Sequence, residues 1–492
     1  MKRTNSDSDF QHGNTIRSES EVFSIYLLHR SMKNYSFTFY LFSCIRVKRP
    51  AKSLVFLILL ILGLQVNAQK NWSLNECITY AIKNNLQLHQ DDLSEQIASQ
   101  SYQKSKWNLL PGIGAGADAG RNYGRSIDPN TNGIINTSFF NNSYYIAASM
   151  DVFRGFILQN QIRYQKFRKE SVENYRENAT DDLAFEVMNA FFNLVYQEEI
   201  LKIANEQKGI SVMNVKKTEI LVTTGLKAQT ELLEVKANLE KDELLCIQSA
   251  NNIASAWIRL KKAMNLPPDR QITLASEDEN MIAADVITSD IAELFKEHSQ
   301  RSPYIRMYEN DWMASQKDVK IQKAGFFPSI SFQAAYNTGF YETNKDAGQQ
   351  TIAFNSQIKN NQSQFIGARL SIPVFSKNAI RFDVRQSKLI SEQAETKLNQ
   401  SKQNLLYEMQ QNYNDLNASW KELQQSRNQL EADKLAFQAA QKKFDQGMTN
   451  AIEFYTVKNR LASTASQVLH SKLTLEIKKR TLDFYKGTRF WE

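Results

Sequence analysis

The chain has 492 residues but only 8 prolines and 17 glycines, too little punctuation for several compact domains and enough for long unbroken elements. Its formal charge of +8 is concentrated at one end, because residues 1–53 hold nine Lys or Arg against four Asp or Glu. The remainder is nearly balanced and carries no concentrated basic face, which excludes a nucleic-acid partner.

In chain order, the first readable element is VKRPAKSLVFLILLILGLQVNAQ from Val47: basic residues, an apolar run from Leu54 to Leu64, then small residues ending at Ala68. The run is well short of the roughly 20 apolar residues of a membrane-spanning helix, so it reads as a secretory signal over 48–68, cleaved after Ala68. Residues 1–47 read as an extension, disordered or ahead of a later start such as Met32. Cys44 precedes the cleavage point, leaving Cys77 and Cys246, which form no CxxC motif and are expected as free, buried thiols.

A helical segment then reaches Pro111, and IGAGADAGRNY follows with Ile113, Ala115, Ala117 and Ala119 on one side and Gly114, Gly116, Asp118 and Gly120 on the other. The returning strand alternates Tyr144, Ile146, Ala148, Met150 and Val152 against Tyr145, Ala147, Ser149 and Asp151. Such period-two runs of about 9–11 residues match either a tilted membrane strand or a soluble sheet packed on one face. From Phe156 to Gly225 no proline interrupts, and Leu183, Val187, Ala190, Leu194, Leu201 and Ala204 recur at helical spacing.

The same grammar then repeats. Pro111 and Pro328 lie 217 residues apart, as do Leu74 and Ile291, Asn85 and Ser302, and Leu88 and Ile305. Past the strands the separation is 222: Val152 with Val374, Glu186 with Glu408, Gly225 with Gly447, Glu231 with Glu453, Lys236 with Lys458, Leu260 with Leu482. A register held over more than a hundred residues marks an internal duplication, the five extra residues falling in one loop. The second strand pair alternates Ile330, Phe332, Ala334 and Tyr336, then Ile366, Ala368, Leu370, Ile372 and Val374. Met409, Leu416, Leu423 and Leu430 predict a coiled-coil seam. The domains expected are a first repeat over 69–269, a linker over 270–286 and a second repeat over 287–492.

Four strands cannot close a barrel, and an open edge in lipid leaves backbone groups unpaired at several kcal/mol each. Strands that cross a membrane here must therefore be shared among several chains. A secreted coiled-coil scaffold or adhesin, its strands forming a soluble cap, is the alternative that the residues leave open.

WSLNECITYAIKNNLQL, the LLP and FFP turns, LSIPVFS, and the glycine motifs TTGLKAQTELLEVKANL and DQGMTNAIEFYTVKNRL occur in doubled order, and with them the chain resembles the TolC family of outer-membrane efflux proteins from Trp72 to about Gly487. The resemblance implies a mainly α fold with a β-barrel part: a homotrimer whose long coiled-coil α-helical barrel continues a 12-stranded outer-membrane β-barrel, four strands per chain. It implies an exit duct of a tripartite efflux or type I secretion system in a Gram-negative outer membrane, with a long periplasmic part. Partners would be outer-membrane lipid, a periplasmic adaptor (membrane fusion protein) and an inner-membrane transporter.

Residue by residue, the resemblance assigns Gly225, Leu226, Gly447 and Met448 to adaptor-docking tips, although glycine also ends helices without any partner. It assigns Glu231 and Glu453 to carboxylate rings at the channel constriction, against the alternative of ordinary solvated glutamates. Pro111 and Pro328 are the helix-to-strand turns. The family's tyrosine, arginine and second acid around the second glycine are here Phe444, Thr449 and Thr456, so that polar lock cannot form.

No chemistry competes with this reading. His12 and His29 precede the cleavage site, while His89, His298 and His470 lack metal-site spacing, and the GIGAGA run has Ala117 where a phosphate loop needs its third glycine. No nucleophile motif occurs, so neither an enzyme, a cofactor nor a metal is expected.

Overall fold

The computed structural model describes residues 71–127, 132–275 and 290–491. The signal segment 48–68 with its Ala68 cleavage site, the extension 1–47, Cys44, His12 and His29 lie outside the described residues, as does the linker from 276 onward.

Each repeat opens with a helix broken once. α1 (Leu74–Asn84) and α2 (Leu86–Trp107) in the first repeat match α5 (Ile291–Arg301) and α6 (Pro303–Ala324) in the second. The duplication extends to the caps. Ser73 accepts from the Glu76 amide and closes a capping box, and its counterpart Asp290 accepts from the Ala292 amide. Asn85 and Ser302 in turn start the second piece of each helix.

The helix-to-strand switch is built alike in both halves. Leu110 N–H donates to Trp107 and Phe327 N–H to Ala324, tightening the last turn into i→i+3 bonds. Pro111 and Pro328 follow directly, each one residue ahead of a strand, β2 (Gly112–Asn122) and β7 (Ser329–Tyr341). Proline has no N–H for another helical bond and holds the preceding residue extended.

β5 (Phe139–Arg154) and β8 (Ser363–Ser371) complete an antiparallel sheet of order β2-β5-β7-β8. β3 (Arg125–Ile127) and β4 (Ile134–Asn136) form a hairpin in the first connecting loop, and α7 (Phe354–Asn360) sits in the longer second one.

Two strand expectations need correction. β8 stops at Ser371, so Ile372 and Val374 lie beyond it, because Pro373 cannot donate to a ladder. Val152 falls out of the alternation at a bulge, where the β5–β7 register shifts between Asp151 and Phe153.

Strand gives way to helix through two successive left-handed residues, Gly155 and Phe156 in the first repeat, Lys377 and Asn378 in the second. Gly155 is needed there, since a Cβ would meet the Ala324 carbonyl oxygen at 2.6 Å. α3 (Ile157–Thr223) and α8 (Ala379–Asp445) then run 67 residues each, about 100 Å at about 1.5 Å per residue. α4 (Gln229–Met264) and α9 (Ala451–Lys486) return over 36 residues each. β1 (Asn71–Trp72) pairs in parallel with β6 (Thr273–Leu274), so a strand occupies part of the segment expected as a linker.

The apolar core lies where short and long helices meet. One cluster joins Leu74, Ile78, Val187, Phe191, Leu194 and Leu260; its second-repeat counterpart holds Ile305, Met409, Leu416, Leu423 and Leu482. The seam of α8 is half polar. Leu416 and Leu423 alternate with buried Asn412, Ser419 and Ser426, small groups that let helices approach, while Leu430 is only half buried. Cys77 is free and fully buried in the first cluster, where its repeat counterpart is Leu294. Cys246 is also free but only half buried, beside Asn205 at 3.6 Å, which corrects the expectation of two buried thiols.

Candidate functional site

Three features combine in one elongated body: two helical tips, a buried polar node above them, and an open sheet at the far end. At the first tip α3 ends in a Schellman motif. Gly225 has φ 75°, its N–H donates to Val222, and the Leu226 N–H donates to Leu221. The second tip repeats it with Gly447 at φ 72°, donating to Phe444, and Met448 donating to Lys443. A Cβ at either glycine would meet nothing within 4 Å, so the left-handed backbone alone requires glycine. The turns leave Leu226 74% and Met448 72% exposed, two large apolar groups held out at matched positions.

The two tips are tied together inside one chain. Lys217 Nζ lies 2.7 Å from the Asp445 carboxylate, and Lys227 Nζ sits 4.9 Å above the ring of Phe444. Phe444, the family's tyrosine position, is buried and stacks on Phe454 at 4.7 Å. Thr456 spends its hydroxyl on the Ile452 carbonyl.

Glu231 and Glu453, matched by sequence, differ in setting. Lys227 Nζ approaches the Glu231 carboxylate to 2.7 Å, an i,i+4 ion pair. Glu453 receives no cation among the described ion pairs; it accepts a hydrogen bond of 2.5 Å from Thr449, and its amide caps on Asn450. Thr449, standing in place of the family's arginine, thus hydrogen-bonds the acid instead of neutralising it.

Above the tips, Lys458 of α9 is fully buried between α3 and α4. Its ammonium donates to the Asp242 carboxylate and, at 2.8 Å, to Ser211, whose hydroxyl donates to the same carboxylate at 2.6 Å. The ring of Tyr455 covers it at 5.1 Å. Burial pulls the Lys458 pKa down, and the hydrogen bond it donates to Asp242 opposes the shift. The second repeat holds the related pair Thr464 and Asp433, bonded at 2.8 Å, with Arg460 at 2.7 Å in the lysine's stead. In the sequence Lys458 stands out only as the repeat of Lys236. The available signal was its place at i+3 and i+4 from Tyr455 and Phe454, on the face that packs.

At the other end the sheet is exposed on both faces. One face carries Ile113, Ile146, Phe332, Ile366 and Leu370, all more than a third exposed; the other is lined by the glycines of β2 with Asp118 and Arg369. Tyr145 lies across Gly116, and Phe365 across Gly367, filling the space that side chains would occupy. Trp107, Leu110, Phe326, Phe327 and Phe375 surround the helix–strand junction, all 49% exposed or more, an apolar and aromatic girdle of the kind found at a membrane interface. Among the described residues no helix is long and apolar enough to cross a membrane, and no cluster of metal-ligating side chains occurs.

His298 lies buried against the rings of Phe484 and Tyr485, where burial and Arg301 lower its pKa to about 4. His89 and His470 are not assembled with it.

A family model described as outer membrane efflux protein matches residues 77–266 and 294–488. Among solved structures, the CmeC outer membrane channel of Campylobacter jejuni superposes with TM-score 0.75 at 16% identity, over 85% of this chain and 86% of that one. The open-state MtrE outer membrane channel of Neisseria gonorrhoeae gives TM-score 0.70 at 17% identity, over 85% and 89%. The outer-membrane channel OprN gives 0.73 at 19%, over 85% and 90%. No curated protein matches the sequence significantly.

Proposed function

The chain belongs to the outer membrane efflux protein family, and from that premise we propose that three copies share one 12-stranded barrel and one helical tunnel, the exit duct of a tripartite efflux or type I secretion assembly. The observation that carries this is the sheet β2-β5-β7-β8. Its two edges are open, one face is mainly apolar, the other carries the β2 glycines, Asp118 and Arg369 with the rings of Tyr145 and Phe365 laid over glycines, and two 67-residue helices continue from it. A bilayer tolerates such a sheet only when the edges close on other copies.

In this reading the apolar face and the girdle meet outer-membrane lipid, and the helices extend through the periplasm of a Gram-negative cell. Transport through the duct is passive, its energy supplied by a transporter in the inner membrane. Leu226 and Met448 dock the periplasmic adaptor, because turns built alike in both repeats hold them in solvent. Glu453, more than Glu231, supplies a ring of negative potential near the inner end that favours cations. A secreted scaffold or adhesin gains no support from the family or from the fold.

The test combines fractionation with docking. The mature protein is expected in detergent-requiring membranes as a trimer, and Leu226→Asp with Met448→Asp is expected to keep the trimer but lose adaptor crosslinking and export. Recovery as a water-soluble monomer would overturn the duct; undiminished adaptor capture by the double variant would overturn the docking assignment.

A further inference from the structure

Inside one chain the two repeats contact each other along β5 and β7, along α3 and α6, and at the buried Lys458 node. We propose that the contact between copies repeats the sheet and upper-helix parts of this contact residue for residue, which fixes the β8–β2 register with Arg369 opposite Asp118 of the next copy. The inference rests on the trimeric reading above and adds what that reading leaves open, the register.

The duplication supplies the rule. β7 is the counterpart of β2 and β8 of β5, at the separations 217 and 222 read from the sequence. Within the chain β5 pairs with β7 so that Ala148 is opposite Ala334 and Ala147 opposite Ala335. Transferred to the open edges, the same register sets Leu370 opposite Ala117, Arg369 opposite Asp118 and Ala368 opposite Ala119 of a neighbour.

Charge agrees with that transfer. Arg369 and Asp118 are the counterparts of Ala147 and Ala335, so the two edges carry opposite charges where the interior pairing has two alanines. They also share a face. Asp118 is opposite Ser143, Asp151 follows on the same side of β5, Asp151 is opposite Ser331, and Ser331 is opposite Arg369. A slip of two residues sets Arg369 against Gly116 or Gly120 and loses the pair. A slip of one turns the apolar face inward.

The helices above give an independent agreement. Ala314 of α6 is 1% exposed, and nearby Asp311 pairs with Arg168 of α3 at 2.5 Å. The counterparts of Ala314 and Arg168 are Ile97 of α2, 68% exposed, and Ile390 of α8, 46% exposed. The counterpart of Asp311 is Ser94, so the internal ion pair has no equivalent there, and two isoleucines are left in solvent on the two surfaces that the rule brings together. The Lys458 node is not repeated, since Arg460 already neutralises Asp433 within its own hairpin.

The detergent-purified full chain tests this by oxidation of paired cysteines, with Cys77 and Cys246 retained in the parent control. Ala119→Cys with Ala368→Cys is expected to give covalent trimers that survive boiling in SDS, at least fivefold more than Ala117→Cys with Ala368→Cys. Arg369→Asp or Asp118→Arg alone is expected to lower the fraction of SDS-resistant trimer, and the two together to restore it. Stronger crosslinking of the displaced pair, absence of both crosslinks in an intact trimer, or no rescue by the double swap would each overturn the register while leaving the duct standing. A parent chain that is monomeric in detergent would overturn both.

Discussion

Lys458 of the second repeat donates to the carboxylate of Asp242 in the first, across 216 residues of sequence, with neither side chain more than a tenth exposed. A charge pair taken this far from water is worth keeping only when it is complete, because removing one member strands the other. Ser211 completes it by bonding both partners.

Lys458→Met is therefore expected to destabilise the protein by about 3–5 kcal/mol, and Lys458→Met with Asp242→Leu to recover most of that loss. Denaturant unfolding of the solubilised protein measures both. A double variant as unstable as the single one would show that the lysine acts through packing and not as the partner of the carboxylate.

At the tips the left-handed backbone costs any L residue about 1–2 kcal/mol, and asparagine least. Gly225→Val and Gly447→Val are each expected to lower stability by that amount or more, Gly225→Asn by less, since there is space for a side chain at both sites. Thermal unfolding of the four proteins, the parent included, ranks them. Equal effects for valine and asparagine would remove the backbone argument.

The two acids near the tips should separate in planar bilayers. Glu453→Gln is expected to reduce cation selectivity clearly, and Glu231→Gln only slightly, because Lys227 already offsets Glu231. Reversal potentials in a salt gradient report this directly. Identical shifts for the two variants would contradict the difference in their surroundings.

His298 predicts an acid limb. Its pKa is held at about 4 in the fold against 6.5 unfolded, so the unfolded chain binds the extra proton between those values. Stability is full above about pH 6.5 and is lost as pH falls toward 4, by on the order of 3 kcal/mol for the whole window. His298→Phe keeps a ring against Phe484 and is expected to flatten the profile there. A profile of unchanged slope in melts at stepped pH would assign the acid sensitivity to other groups.

The thiols differ in reach. Burial pushes Cys77 up to about 12, and it lies wholly inside the core, whereas Cys246 is partly open. A maleimide is expected to label Cys246 alone in the folded protein and both cysteines in urea. Labelling of Cys77 without denaturant would mean that the first-repeat core opens readily.

Much of this architecture is legible in the sequence. Proline after a helix, alternation of period two, and apolar steps of three and four are local signals, and the duplication let each half check the other. Pro111 with Pro328 and Gly225 with Gly447 could be placed because backbone stereochemistry acts over a few residues. The end of β8 was misplaced because Ile372 and Val374 continue the alternation even though Pro373 withdraws its donor. The half-polar seam of α8 was missed because Ser419 and Ser426 look like solvent-facing residues until a neighbouring helix covers them.

By itself, then, the sequence determined the elements, their doubling and the points where the chain turns, since those depend on dihedral preferences and on the period of apolar residues. Only the tertiary structure decided that Lys458 is buried against Asp242, that Lys217 reaches Asp445 of the other tip, and that Cys246 remains partly open. Those outcomes depend on which side chains from distant segments arrive at the same place, and the energy of a charge or a thiol is set by its neighbours and by its distance from water.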